Sequence, residues 1–159
     1  MKMFRTLVKM VFPEKPMQTT QVILDDGTPK DDVEYYEPYG ITSTCPDDAE
    51  RESLTLTFDD DISHCVNIMV GSRALRMRVA KGEVALYDDL GQTVHLKRDM
   101  ILLKSPTLVK VDASELHCTG DIVADGEVKD AGGAKSMSGM RGTFNNHTNN
   151  GAGLSSGQM

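Results

Sequence analysis

Four histidines, three cysteines and a series of paired acids are the residues of this chain able to do chemistry, and their spacing decides what each is good for. Cys45, Cys65 and Cys118 are too far apart for a zinc or redox pair, which needs close CxxC-type spacing. Cys65 and Cys118 alternate with apolar residues and are expected as small core hydrophobes. An odd number of cysteines with no disulfide framework points to synthesis in a reducing compartment. His64, His95 and His117 fall in strand-like text without a Ser-His-Asp or Cys-His assembly nearby. His64 and Cys65, as neighbours on a strand, point to opposite faces. His95 and His117 are expected in an exposed charged row. Gly132-Gly133 is not expected to open a phosphate-binding loop, because no helix is expected after it. The acids cluster as Asp25-Asp26, Asp31-Asp32, Asp47-Asp48 and Asp59-Asp60-Asp61, beside Gly27, Pro29, Pro38, Gly40 and Pro46. They read as solvated loops between short strands, since the 12-residue acid spacing of a helix-loop-helix calcium site is absent. No catalytic residue emerges, and the chain reads as a non-enzyme.

The elements that would position these residues must be built from a modest apolar supply. The 159 residues are 39% hydrophobic and 26% charged, with 4 Phe, 4 Tyr and no Trp. A chain this size with so few large apolar side chains favours disorder, extension or association with other chains over one large core. The net charge of −7 argues against nucleic acid as a partner, because backbone binding needs clustered Lys and Arg. Uninterrupted apolar stretches are only a few residues long, far from the roughly 20 needed to span a bilayer. The opening MKMFRTLVKMVFPEK imitates a signal peptide, but Arg5 and Lys9 break its apolar region and no small-residue cleavage site follows. It is expected in the mature chain.

In the first half, Phe4–Met10, Gln18–Leu24, Ser53–Phe58 and His64–Val70 read as strands, with Tyr39–Thr44 as a short fifth. Leu54, Leu56 and Phe58 alternate with Thr55 and Thr57, as a half-buried strand requires. Five short strands without a convincing helix predict a small Greek-key barrel of OB type. A β-sandwich fragment is the competing fold.

From Gly82 the pattern becomes serial. Short alternating segments are separated by Asp, Gly, Ser or Pro, and their inward row is Val84, Leu86, Val94, Leu96, Ile101, Leu103, Val109, Val111, Leu116, Cys118, Ile122 and Val128. The outward row is Tyr87, His95, Lys97, Lys104, Lys110, Asp112, His117 and Asp121. Strands this short, with one narrow apolar row, close a core only against neighbours. Three copies wound about one axis satisfy this with less regularity than a single-chain solenoid demands. The last stretch, 131–159, loses the alternation, and 17 of its 29 residues are Gly, Asn, Ser or Thr. Such a composition is usually that of a disordered tail, yet Asn145-Asn146-His147-Thr148-Asn149-Asn150 forms a compact polar block carrying the tail's only histidine.

An ordered set of segments then resembles one family, the Mu-type phage baseplate assembly protein V, the central tail spike. The segments are DDVEYYEPYGITS (31–43), DISHCVNIMVGSR (61–73), KGEVALYDDLGQTVHLKR (81–98), TGDIVADGEVKD (119–130) and SMSGMRGTFNNHTNNGAG (136–153). The resemblance implies an all-β homotrimer. Its domains would be an OB-like barrel over 1–72 for baseplate and tube docking, a triple-stranded β-helix shaft over 73–130, and a Gly/Asn/Ser-rich tip over 131–159. The trimer core would be Val84, Leu86, Val94, Leu96, Ile101, Leu103, Val109, Val111, Leu116 and Ile122, and Met137, Met140 and Phe144 would pack the tip. The implied partners are the tail tube or hub, the baseplate wedge and the host outer envelope, with the protein located in the virion. The alternatives are the spike of a related contractile injection or secretion machine, or an envelope-binding OB module.

Two departures from the family pattern carry expectations. The chain starts in what reads as the first barrel strand, where relatives carry a longer N-terminal segment, so its baseplate contact is expected to be reduced or differently built. At the tip the family has His-x-His, two imidazoles from each of three chains around an iron-like ion. Here His147-Thr148-Asn149 leaves three imidazoles, with Asn149 as a weak ligand or a second-shell partner. The rival arrangement is a hydrogen-bonded ring of His147 and Asn149 without metal.

Overall fold

A computed structural model describes residues 2–47, 50–58 and 61–147. Contacts divide the chain into two compact units, Met1–Lys110 and Val111–Met159. In the first unit, five strands close into a barrel: β1 (Lys2–Phe12), β2 (Thr19–Ile23), β3 (Pro29–Tyr35), β4 (Arg51–Phe58) and β5 (Asp61–Ser72). The barrel order is β1-β2-β3-β5-β4, an OB-like arrangement. The barrel closes because β4 pairs both β1 and β5 while β3 meets β5 in parallel at Glu34↔Val66 and Tyr35↔Asn67.

One expected strand changes place. Tyr39–Thr44 forms no strand; Gly40 turns the chain with φ 83°, and the Ile41 N–H donates to the Pro38 carbonyl at 3.1 Å. The Glu37 carboxylate then gathers the loop, accepting from the Ser43 N–H at 2.6 Å and from Gln18 Nε2 at 2.8 Å. The missing fifth strand is Pro29–Tyr35, so the Asp31-Asp32 pair lies on a strand rather than in a loop. Its buried Val33 and Tyr35 alternate inward, while Asp31 accepts from Gln21 and Asp32 from Lys15, both at 2.5 Å. The acids satisfy the turn signal in sequence, but the tertiary partners decide.

The barrel interior is small. Its apolar core is Val8, Val22, Leu24, Val33 and Cys65, with Phe4, Val11 and Val70 packed against it. The remainder is hydroxyl-rich, because on β4 the inward residues are Ser53, Thr55 and Thr57, all buried. Thr6 Oγ1 lies 2.7 Å from the hydroxyls of Ser53 and Thr55. Thr55 donates to Asn67 Oδ1 at 2.6 Å, and Asn67 Nδ2 donates to Thr20 Oγ1 at 2.6 Å. Thr20 passes the chain on to the Val33 carbonyl at 3.2 Å. Every member has a partner, which is the condition for burying polar groups without loss. The alternating β4 pattern is therefore inverted: Leu54 and Leu56 face outward. Period-two alternation sorts residues into two faces without saying which face is inside.

Beyond the barrel the first unit carries a three-stranded antiparallel sheet, β6 (Val84–Tyr87), β7 (Thr93–Leu96) and β8 (Ile101–Lys104), in that order. In contrast, the expected strands around Val109, Leu116 and Ile122 form no ladder within the chain, and every residue from Pro106 to Lys135 is exposed.

In the second unit, β9 (Lys129–Asp130) and β10 (Lys135–Ser136) pair across a 3-10 turn over Ala131–Gly133. A helix then follows where the sequence showed no helical pattern: α1 (Met137–Asn146). Two caps start it. The Ser136 hydroxyl accepts from the Gly139 N–H at 3.1 Å, and the Glu127 carboxylate accepts from the Ser138 N–H at 3.1 Å. The helix runs through Gly139 and Gly142, whose helix propensity is poor, so capping and packing rather than composition place it. Among the described residues no helix is long and apolar enough to cross a membrane.

Candidate functional site

The residues first considered for chemistry have separate surroundings. His64 sits beside the Phe58 ring at 5.0 Å, and His117 is exposed. Cys65 is buried, Cys45 is intermediate and Cys118 is exposed in the chain, against the expectation of a core role for Cys118 in its own fold. Burial pushes the Cys45 and Cys65 thiols up, away from thiolate chemistry. No group of three or more His, Cys, Asp or Glu among the described residues could hold a metal within one chain. Lys135 and Ser136 do follow Gly132-Gly133, out of the phosphate-loop frame, and the Ser136 hydroxyl is engaged as the helix cap.

His95 corrects the expected exposed row. It is 7% exposed, and its Nε2 lies 3.0 Å from Glu83 Oε2. Glu83 also accepts from the Ala80 N–H at 3.1 Å. The Ala80 amide, followed by His95, holds the Glu83 carboxyl below its ordinary range. The register accounts for it: His95 lies across the β6–β7 hairpin from Ala85, and Glu83 has the same strand parity as Ala85. The pair thus shares the face opposite the apolar row.

That apolar row is the main feature of the sheet. The register pairs Val84 with Leu96, Leu86 with Val94, Val94 with Leu103, and Leu96 with Ile101. Cross-strand partners lie on the same face, so six of the ten expected trimer-core residues form one patch. They are between 37% and 65% exposed in the chain. The other four, Val109, Val111, Leu116 and Ile122, are exposed in the segment without a ladder. Six branched aliphatics on one uncovered face exceed what an isolated sheet normally presents to water.

The second unit carries the expected tip residues. Met137, Met140 and Phe144 fall at i, i+3 and i+7 of α1, which places them on one helix face. They line a concavity of about 870 Å³ with Val128 and His147. His147 Nδ1 donates to the Phe144 carbonyl, and its ring lies 5.2 Å from the Phe144 ring. With Nδ1 so engaged, Nε2 is the ring nitrogen left to meet another group. Asn149 lies outside the described residues.

Comparison with known proteins adds one match: residues 5–74, which span the barrel, match the family described as Bacteriophage Mu Gp45, N-terminal. No curated protein matches the chain.

Proposed function

We propose, on the match of residues 5–74 to the family described as Bacteriophage Mu Gp45, N-terminal, that this chain is a phage baseplate protein and the homotrimeric central spike that pierces the host envelope as the tail contracts. The observation that carries the reading is the uncovered face of Val84, Leu86, Val94, Leu96, Ile101 and Leu103. Covering six half-exposed aliphatics is worth on the order of 5–10 kcal/mol per chain before the entropy of association. A three-fold axis supplies that cover from the same face of two other copies. The exposed segment 106–128, which forms no ladder among the described residues, supports the same reading.

In this reading 1–72 is the docking barrel, 73–130 the shaft and 131–159 the tip. The barrel meets the tail tube or hub and the wedge proteins, and its acid-rich segment, 25–61, offers a negative rim to basic partners. The work is mechanical: intertwined strands carry load, and a charged exterior resists lodging in lipid. At the tip, three His147 Nε2 atoms would hold one iron-like ion, which would tie three chain ends together.

Sedimentation of the full chain tests the assembly. A wild-type trimer, with Leu96→Asp or Val111→Asp dissociated by three buried carboxylates on one axis, is the expected result. Folded wild-type monomers at micromolar concentration would overturn it. Metal content per trimer, lost in His147→Ala with the trimer intact, tests the tip.

A further inference from the structure

Residues 73–81, RALRMRVAK, join the barrel to the β6–β8 sheet and run against the charge of the rest of the chain. The stretch holds Arg73, Arg76, Arg78 and Lys81 without one acid, in a protein of net charge −7. It belongs to neither sheet, because β5 ends at Ser72 and β6 begins at Val84. Arg76, Arg78 and Lys81 are exposed, and among the described residues none of them makes an ion pair. The main chain of 76–79 likewise has no hydrogen-bond partner among the described residues. Aliphatic side chains alternate with the guanidinium groups: Leu75 and Val79 are 37% and 38% exposed, and Met77 between them is half-buried. Where the stretch leaves the barrel, a concavity of about 270 Å³ is lined by Leu54 and Met69 with Arg5, Arg73, Arg76 and Glu52. Glu52 is already shared, 3.9 Å from Arg5 and 3.0 Å from Arg73, so a positive surplus remains there and Arg76 carries it. At the other end Glu83 is engaged by the Ala80 N–H and by His95.

We propose that this junction docks an acidic, extended segment of another protein, its carboxylates taken by Arg76, Arg78 and Lys81 and its aliphatic side chains by Leu75, Met77 and Val79. Charge selects the sign of the partner, because three cations without a counter-ion in their own chain lie within six residues of one another. A guanidinium grips a carboxylate through two parallel N–H donors, a geometry lysine lacks. The open main chain and the interleaved aliphatics select a polypeptide: an added extended segment supplies backbone partners, and its alternate side chains meet alternate positions. A nucleic acid or an anionic bilayer supplies phosphates but no such main chain. Each also runs well past the roughly 8 Å over which a charge is felt at physiological salt, into the field of an otherwise acidic chain. The proposal goes beyond the spike reading and rests on the baseplate reading only for the setting in which such a partner is met.

The test is fluorescence anisotropy of the purified full chain with a fluorescein-labelled peptide of alternating Glu and Val. Saturable binding is expected, weakened at least about tenfold by Arg76→Glu with Arg78→Glu and about threefold or more when the peptide's Val is replaced by Ser. A peptide of alternating Lys and Val is expected not to bind. Lys129→Glu with Lys135→Glu, the same charge reversal at exposed positions of the second unit, is expected to leave the affinity unchanged. The exchanged side chains are all exposed, and unaltered hydrogen exchange at the slowest β4 and β5 amides verifies that the barrel is intact in each variant. Absence of saturable binding, equal weakening by the two charge reversals, or tighter binding of duplex DNA or phosphatidylglycerol vesicles overturns the proposal. A wild-type chain that sediments as a trimer and binds no peptide overturns this proposal and leaves the spike reading standing. A monomer that binds the peptide through Arg76 and Arg78 does the reverse.

Discussion

Replacing Thr55 by Val keeps the shape of a fully buried side chain and removes the central hydroxyl of the barrel. Thr6 retains its partner, because Ser53 remains 2.7 Å away. Asn67 Oδ1 does not, since Thr55 is the side-chain donor that reaches it, at 2.6 Å. The cost is one hydrogen bond, about 1 kcal/mol net, together with about 1–3 kcal/mol for the orphaned amide oxygen, less about 0.8 kcal/mol from the added methyl. Thr55→Val is therefore expected to destabilise the barrel by about 2 kcal/mol. Asn67→Leu, which orphans Thr20 and Thr55 less severely because each keeps another partner, provides the second arm of a double-mutant cycle. The pair is expected to couple by more than about 1 kcal/mol, with the double substitution less costly than the sum of the singles. The assay is hydrogen exchange at the slowest amides of β4 and β5, which reports the opening of the barrel independently of how copies associate. If Thr55→Val leaves those amides within about 0.5 kcal/mol of wild type, the hydroxyl chain is not what fills the barrel and the assignment of Leu54 and Leu56 to the outside fails with it.

Three further outcomes are expected. The Glu83 carboxylate is stabilised in the fold, so its contribution is present above its unfolded pKa, near the ordinary value of 4.5, and is lost as pH falls through the lower folded value; the amide shift of Ala80 should follow that titration in wild type, persist largely in His95→Ala and vanish in Glu83→Gln. Ser136→Ala removes the cap of α1 and should cost about 1 kcal/mol, read as faster exchange at the Gly139 amide, while Glu127→Gln should fray the same turn by weakening the acceptor for Ser138. Ala131 is held at φ 48° beside Gly132 at 67°, so Ala131→Gly should be neutral or stabilising by up to about 1 kcal/mol and Gly132→Val should destabilise, measured on the Ala134 amide that closes the turn.

Local patterns in the sequence were enough for the elements whose information is local. The alternations at 53–58 and 84–103 announced strands, and the β6–β8 register then gathered six of the expected inward aliphatics onto one face. Of the five segments quoted for the family, 31–43 and 61–73 lie within the match over residues 5–74. Other features depended on partners distant in the chain. Which side of β4 lies inside was decided by Thr6, Thr20 and Asn67, whose hydroxyls and amide satisfy Ser53 and Thr55 across three other strands. The strand at Pro29–Tyr35 was hidden behind Asp31-Asp32 until Gln21 and Lys15 supplied their partners, and the helix at Met137–Asn146 was hidden behind its glycines until Glu127 capped it. His95 is buried because folding the hairpin carries Glu83 to it. Periodicity is a property of one strand or helix, and the sequence determines it directly. The inside of a barrel, the capping of a weak helix and the burial of an imidazole are relations between elements, and only the tertiary structure brings both members together.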